Sequence, residues 1–169
     1  MATMVWIKNT LAQRGVHFEE CHHPEVFTAQ EVAQREHMSG HRVAKVVVVM
    51  ADGRPMELVL PASRRVVLQE LRRYLGAHEV RLASEAELER LFRDCEVGAM
   101  PALDHWQHVP VIMDHSMQVK GDILLQGGTH TDAVRVSFDD WFTAVHPRTA
   151  SFSEPAEPCH ADRFTSREV

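Results

Sequence analysis

The sequence predicts an α+β (mixed α/β) domain, in which a mainly antiparallel mixed sheet is flanked by helices. Segments typical of strands outnumber the helices that could cross over between parallel neighbours. The clearest strand, at 43–50, is followed by an Asp-Gly turn and a second apolar run at 56–60, which indicates an antiparallel hairpin. A chain of 169 residues is long enough for one such domain.

The first part of the chain predicts a helix, a strand and a second helix. Apolar residues recur at helical spacing over 3–14, and Gly15 ends this helix. A short strand is expected at 17–22. The second helix begins at Thr28, because Glu31 stands three residues later and completes a capping box.

The hairpin occupies the middle of the chain, and a helix and a short strand follow it. Apolar residues between 67 and 75 fall on one helical face, and Gly76 stops that helix. The segment 80–82 then predicts a short strand.

The last part predicts two helices with strands between them. The helices begin at Ser84 and Ser137, each of which can cap the first turn with its hydroxyl. The strands lie at 111–113, 122–126 and 133–136. From Pro147 onward apolar residues become scarce, so residues 1–146 are expected to form the domain and 147–169 a disordered tail.

Charge and cysteine content exclude several classes of protein. The net charge of -6 provides no general basic field for nucleic acid, so any contact with phosphate must be local. The 3 cysteines include no Cys-x-x-Cys pair, which argues against a disulfide framework and for a reducing compartment. The sequence shows no signal-peptide pattern and no apolar run of about 20 residues. We therefore expect a cytoplasmic protein that makes no contact with membranes.

Lys45 is the most unusual residue of the predicted sheet. It lies within an otherwise apolar strand and shares a face with Val43, Val47 and Val49. Burial of an unpaired ammonium is costly and lowers its pKa. Two interpretations are open: Lys45 extends to the surface from the start or edge of the sheet, or it lines a pocket that holds a polar ligand.

Metal binding and covalent catalysis find little support in the motifs. The 12 histidines include no His-x-x-x-His pair on a predicted helix and no His-Glu-x-x-His, so no metal site is expected. The chain has no Gly-x-Ser-x-Gly elbow. Cys95 adjoins a glycine loop, but cysteine is commonly a small buried apolar residue.

The loop from Gly98 to Leu103 is a stronger candidate site. Gly98 permits a positive φ or close approach of a ligand, and Pro101 stiffens the segment after it. Amides of a tight loop can converge on one oxygen, as an oxyanion hole requires. The alternative is an ordinary connection between a helix and a strand.

Taken in order, several segments resemble the YbaK and prolyl-tRNA synthetase-associated editing domain family. The matching stretches are 28–33, Lys45 within its valine strand, 58–62, 95–101 and the Gly-Gly-Thr-His segment at 127–130. The similarity spans residues 1–146. Two positions depart from the family pattern: Ala102 replaces the proline expected at the end of the loop, and Asp104 replaces a glycine that often follows.

The resemblance implies a deacylase that acts in trans and hydrolyses the ester of a mischarged aminoacyl-tRNA without metal or other cofactor. The implied catalytic groups are Lys45 and the backbone amides of Gly98, Ala99 and Met100. The implied substrate-binding residues are Thr28, Pro101, Ala102 and His130. The expected partners are the acceptor end of an aminoacyl-tRNA and, as a second candidate, an aminoacyl-tRNA synthetase.

These implications agree with the chemistry of the residues. Lys45 could hold the terminal nucleotide or the carbonyl oxygen, and the loop amides could stabilise the oxyanion. No protein base is evident, so we expect a hydroxyl of the terminal ribose to position the water. The competing class is a non-catalytic module of the same fold that binds a nucleotide, an amino acid or a protein.

Overall fold

The computed structural model of the protein describes residues 2–156. The helices are α1 Ala2–Gln13, α2 Ala29–Arg35, α3 Leu68–Leu75, α4 Glu85–Leu91 and α5 Phe138–Val145. The strands are β1 Phe18–His22, β2 Val43–Ala51, β3 Arg54–Pro61, β4 Arg64–Val66, β5 Val80–Leu82, β6 Val111–Asp114, β7 Asp122–Gln126, β8 Asp132–Ser137, β9 Arg148–Ala150 and β10 Ser153–Pro155. Single 3-10 turns lie at Gly40–Arg42 and His115–Met117.

The strands form one large mixed sheet and one small ribbon. The order of the 8-stranded sheet is β1-β8-β7-β2-β3-β6-β9, with β5 also paired to β2, and β10 pairs with β4 in the ribbon. The pairs β2–β7, β3–β6 and β6–β9 are parallel, and the other pairs of the large sheet are antiparallel. The predicted fold class is therefore confirmed.

Local sequence signals place the helix ends. Thr28 and Ser84 both form complete capping boxes, with Glu31 and Glu87. The hydroxyl of Ser137 accepts a hydrogen bond from the amide of Asp140. Helix α2 ends at Arg35, and the chain then forms the 3-10 turn before β2.

The two faces of the sheet are covered by different helices. One face, which carries Ala44 and Leu125, packs against α1 and α5, and Ile7 and Trp141 are fully buried there. On the other face, Val43 packs under α2 and Val49 packs under α3. Burial of apolar surface, at about 25 cal/mol per Å², holds both layers to the sheet.

The sheet is split beside the central strand. On one edge, β2 pairs with β3 from Ala44 to Ala51. On the other edge, β2 pairs with β7 only at residues 43–44 and with β5 only at residues 49–51. Lys45, Val46 and Val47 lie in the gap between β7 and β5, and they are half-buried whereas their neighbours in β2 are buried. The split therefore exposes the middle of a strand that is otherwise enclosed.

The predicted disorder from residue 147 is wrong for the segment that the structure describes. Strand β9 pairs with β6, and β10 pairs with β4. Phe152 between them is fully buried, and its amide donates to Asp114 Oδ1 at 2.8 Å. The segment is ordered despite its polar composition, because Phe152 is buried and the edges of β6 and β4 are free to pair with it. Residues 157–169 of the predicted tail lie outside the described residues, and the domain boundary at residue 146 stays a prediction.

Candidate active site at the split in the sheet

Lys45 lies in the gap of the sheet, on the face shared with Val43 and Val47. Among residues 2–156, no hydrogen-bond acceptor or carboxylate pairs with its ammonium. Partial burial lowers the pKa of Lys45 below its usual value, because the charged form loses hydration. Lys45 thus combines an ammonium of unused hydrogen-bonding capacity with a position where one edge of β2 is unpaired.

The Gly98 loop borders this gap through its contacts with the segment after β7. The amide of Glu96 donates to the carbonyl of Gly128 at 2.8 Å, and the amide of Gly128 donates to the carbonyl of Ala99 at 2.8 Å. Gly98 has a φ of 84°, which favours glycine. The two glycine segments that the sequence separates by about 30 residues are therefore hydrogen-bonded to each other.

Gln126 connects the loop to the sheet, and the sequence analysis missed it. It is the last residue of β7, is 5% exposed, and donates from Nε2 to the carbonyl of Gly98 at 3.0 Å. The parallel register pairs Ala44 with Leu125, and Lys45 and Gln126 stand one residue further along the two strands. A polar residue at the end of the apolar run in β7 was the signal available in the sequence.

The hydrogen bonds of the loop narrow the set of amides that could bind an oxyanion. The amide of Ala99 donates to the carbonyl of Glu96 at 3.1 Å, so it is used within the loop. The amides of Gly98 and Met100 have no acceptor among the described residues. Of the three predicted donors, these two retain the capacity that an oxyanion hole requires.

Pro101 and Ala102 form the part of the loop that packs against the core. Both are buried, and Ala102 packs in the cluster that contains Leu125 and Trp141. The carbonyl of Ala102 accepts a hydrogen bond from Trp141 Nε1 at 2.7 Å, and the amide of Leu103 donates to the carbonyl of Pro101 at 2.8 Å. The departure from proline at residue 102 is thus accommodated by a small side chain in the core.

Thr28 follows Phe27, whose carbonyl oxygen lies near Gly98, and His130 lies beside the same glycine. The hydroxyl of Thr28 accepts from the amide of Glu31 at 3.1 Å, so it already caps α2. The backbone amide of His130 donates to Glu96 Oε2 at 2.9 Å. The imidazole Nε2 of His130 lies 3.6 Å from the same oxygen. His130 Nδ1 is buried without a partner among residues 2–156. If residue 98 carried a Cβ atom, that atom would lie 3.8 Å from His130 Cε1. The imidazole of His130 is therefore beside the loop.

Glu57 is a second residue that the sequence analysis missed. Its side chain is fully buried, and neither carboxylate oxygen has a hydrogen-bond partner in the described part of the chain. Burial, and then the charge of Asp104, raise the pKa of Glu57 well above its usual value. Glu57 pairs with Val48 across the hairpin and therefore points to the face of the sheet opposite Lys45.

Cys95 is not activated as a nucleophile. Burial, with the charges of Asp94 and Glu57, raises the pKa of its thiol to about 12. A thiolate is the reactive form of cysteine, and almost none exists near neutral pH at that value.

Among residues 2–156, no three His, Cys, Asp or Glu side chains are grouped so that they could hold a metal ion. In the same range, no helix is long and apolar enough to cross a membrane.

A match to a family model identifies the class of protein. A family model described as an aminoacyl-tRNA editing domain matches residues 23–144, which include Lys45, the Gly98 loop and His130. The chain belongs to the aminoacyl-tRNA editing domain family.

Solved structures show the same fold at low sequence identity. The chain has a TM-score of 0.80 and 20% identity to the hypothetical protein APE2540, with 88% of this chain and 99% of that chain covered. A candidate trans-editing enzyme for prolyl tRNA synthetase gives a TM-score of 0.79 and 20% identity, with 91% and 98% covered. A candidate signal transduction protein from Marinobacter aquaeolei VT8 gives 0.66 and 16%, and there the match covers 88% of this chain but 30% of that one.

Proposed function

We propose that this protein is a trans-editing hydrolase, which deacylates mischarged aminoacyl-tRNA by metal-free, substrate-assisted ester hydrolysis. The observation that carries the proposal is the unpaired ammonium of Lys45 in the split of the sheet, next to the strand end whose Gln126 holds the Gly98 loop. Membership of the editing family and the likeness to a candidate trans-editing enzyme for prolyl tRNA synthetase support it.

The reaction needs a held ester, a site for negative charge and a water molecule. Lys45 would donate charge-assisted hydrogen bonds to the carbonyl oxygen or to the terminal nucleotide. The free amides of Gly98 and Met100 would donate to the oxyanion, with Ala99 maintaining the turn between them. Water adds to the carbonyl carbon, the bond from that carbon to the ribose oxygen breaks, and the ribose oxygen takes up a proton.

The neighbouring hydroxyl of the terminal ribose would position the attacking water and relay a proton from it to the leaving ribose oxygen. Glu57 is on the opposite face of the sheet and the thiol of Cys95 stays protonated, so neither is a suitable base. Among the described residues His130 is held beside Glu96, and we assign it to substrate binding with Thr28. The substrate would then supply the group that the protein lacks.

Discrimination between aminoacyl groups would depend on the size of the pocket beside the loop. Pro101 and Ala102 fix the path of the loop from within the core, so they set how far it stands from β2. One methylene group changes binding in an apolar pocket by only about 1–3 kcal/mol, which is why a separate editing step is useful.

The proposed setting is the cytoplasm, where charged tRNA is used. Sparse cysteines that form no Cys-x-x-Cys pair suit a reducing compartment. The acceptor end of an aminoacyl-tRNA is the proposed partner, and an aminoacyl-tRNA synthetase is a further one. Local contacts would have to provide the affinity, because the net charge of the chain is -6.

A second candidate function is a non-catalytic binding module of the same fold. The observation in its favour is that the candidate signal transduction protein carries this fold as 30% of a longer chain. Ala102 and Asp104, which depart from the editing pattern, also fit a site that binds without hydrolysis.

A deacylation screen separates the two functions. Purified protein is incubated with a panel of correctly and incorrectly charged tRNAs, with Lys45→Ala in parallel. Lys120→Ala is the matched control, because the side chain of Lys120 is exposed. The hydrogen bond that Lys120 accepts goes to its backbone carbonyl, which the substitution keeps. We expect hydrolysis of one subset of substrates, a loss of about 100- to 1,000-fold in Lys45→Ala, and no change in Lys120→Ala.

Two results would contradict the proposal. Folded protein without activity on any member of the panel would favour the binding module. Activity that a chelator removes and zinc restores would rule out the metal-free mechanism.

A further inference from the structure

An exposed aromatic ring stands at the rim of the candidate active site. The side chain of Phe27 is 63% exposed, more than any other large apolar side chain of the described residues. Phe27 belongs to none of the apolar clusters in residues 2–156, whereas its neighbour Val26 is buried with Val32 under α2. The ring of Phe27 therefore contributes little to the core, and most of its surface is open to a ligand.

The backbone of Phe27 is hydrogen-bonded at its amide and lies next to Gly98. Its amide donates to Glu31 Oε2 at 2.9 Å, as an extension of the capping box of α2. Its carbonyl oxygen lies 3.9 Å from the position that a Cβ atom of residue 98 would occupy. Phe27 is therefore held in direct proximity to the loop that carries the free amides.

The ring of Phe27 contacts another aromatic side chain on one side. It contacts the imidazole of His130 with 4.9 Å between ring centroids and 53° between the planes. His130 is the only aromatic neighbour of Phe27 among the described residues. The remaining surface of the ring faces solvent, next to the place proposed for the ester.

We propose that Phe27 stacks against the 3′-terminal nucleobase of the tRNA while the Gly98 loop and Lys45 hold the ester. This inference rests on the proposed function. The base and the aminoacyl ester are attached to the same ribose, so the two subsites must lie within one nucleotide of each other. The proximity of Phe27 to Gly98 meets that requirement. Stacking on aromatic side chains is a usual way to bind unpaired bases, and it suits a protein whose net charge is -6.

Stacking can be measured on uncharged RNA, independently of hydrolysis. The probe is an acceptor-stem RNA hairpin ending in 2-aminopurine, whose fluorescence is quenched when the base stacks. We expect the wild-type protein to quench the probe and Phe27→Ala to bind it about 5- to 150-fold more weakly, the range of single base–aromatic contacts. Phe27→Trp should retain binding. Tyr74→Ala removes an exposed aromatic residue on α3 and should leave binding unchanged.

A leucine variant distinguishes stacking from simple shielding of His130. Phe27→Leu covers the imidazole with apolar surface but has no aromatic face, so we expect it to behave like Phe27→Ala. Recovery of quenching and affinity in Phe27→Leu would overturn the stacking role. Lys45-dependent deacylation without any quenching would overturn this inference and leave the proposed function intact. Phe27-dependent quenching without deacylation would support the base subsite and reject the hydrolase.

Discussion

At the scale of single residues, two ionisable groups in the middle of the hairpin have opposite consequences. Lys45 is half-buried in the gap of the sheet, where its ammonium can reach a ligand. Glu57 is fully buried on the opposite face and cannot. Each costs stability, because the charged form of each group is poorly solvated. Only the cost of Lys45 is accompanied by access to the proposed site.

Replacement of Glu57 by methionine should stabilise the protein. The carboxyl group has no hydrogen-bond partner in the described residues, and loss of an unsatisfied buried polar group is worth about 1–3 kcal/mol. Methionine has a similar volume and adapts to the space. We expect a higher free energy of unfolding in urea for Glu57→Met, and no change for Glu89→Met at an exposed position of α4. Destabilisation of Glu57→Met would show that the carboxyl group has a partner, such as a buried water.

The stabilisation of Glu57→Met should increase with pH. The folded-state pKa of Glu57 lies above its unfolded value of about 4.5, so the folded state binds more protons in the interval between them. The contribution of Glu57 is therefore most favourable below pH 4.5 and is lost as the pH rises through the folded-state pKa. Urea unfolding at pH 5 and pH 8 should give a larger difference between wild type and Glu57→Met at pH 8. An equal difference at both values would contradict the raised pKa.

At the scale of elements, the proposed site depends on how the Gly98 loop is held. Gly98 has a φ of 84°, and a side chain there would meet only ordinary contacts, at 3.8 Å or more. Substitution by alanine should therefore act through backbone strain and not through collision. Gln126 donates to the carbonyl of Gly98 itself, and the amide of Gly128 donates to the carbonyl of Ala99, so these neighbouring segments resist a change of φ at Gly98.

The variant Gly98→Ala should lose both stability and deacylation. Strain in the left-handed region costs about 1–2 kcal/mol, and any relief of the strain moves the amides of Gly98 and Met100. Gly15→Ala is the control, because Gly15 has a φ of 71°, no atom within 4 Å of its added carbon, and a position at the end of α1. Thermal unfolding should show a similar loss in both variants. Deacylation at a temperature where both are folded should fall only in Gly98→Ala, and an equal loss in Gly15→Ala would remove the special role of the loop.

The elements that the sequence predicts are those defined by neighbouring residues. The capping boxes at Thr28 and Ser84 and the Asp-Gly hairpin depend on residues within a few positions, and each is present. The burial of Phe152 depends on strand edges far away in the chain, which composition does not reveal. The split beside Lys45 has the same origin, since it requires the ends of β7 and β5 on one edge of β2.

At the scale of the whole molecule, the candidate site joins segments that are distant in sequence. Phe27 precedes α2, Lys45 is in the central strand, Gly98 follows α4 and His130 precedes β8. Contacts between such segments form only when the sheet is complete, so the site is coupled to global folding. The last two strands help to complete the fold, because β9 pairs with β6 at the edge of the large sheet and β10 pairs with β4.

Truncation should show that residues after 146 belong to the folded unit. A chain that ends at residue 146 loses β9, β10 and the buried Phe152, whereas a chain that ends at residue 156 keeps every described strand. Loss of a buried phenylalanine alone costs about 3–5 kcal/mol, and the shorter chain also leaves the Asp114 carboxylate without the amide of residue 152. We expect the chain ending at 156 to unfold like the full protein, and the chain ending at 146 to unfold at much lower urea or to fail to fold. Phe152→Ala in the full chain should give an intermediate midpoint. Equal midpoints for all four proteins would support the boundary at residue 146 that the composition predicts.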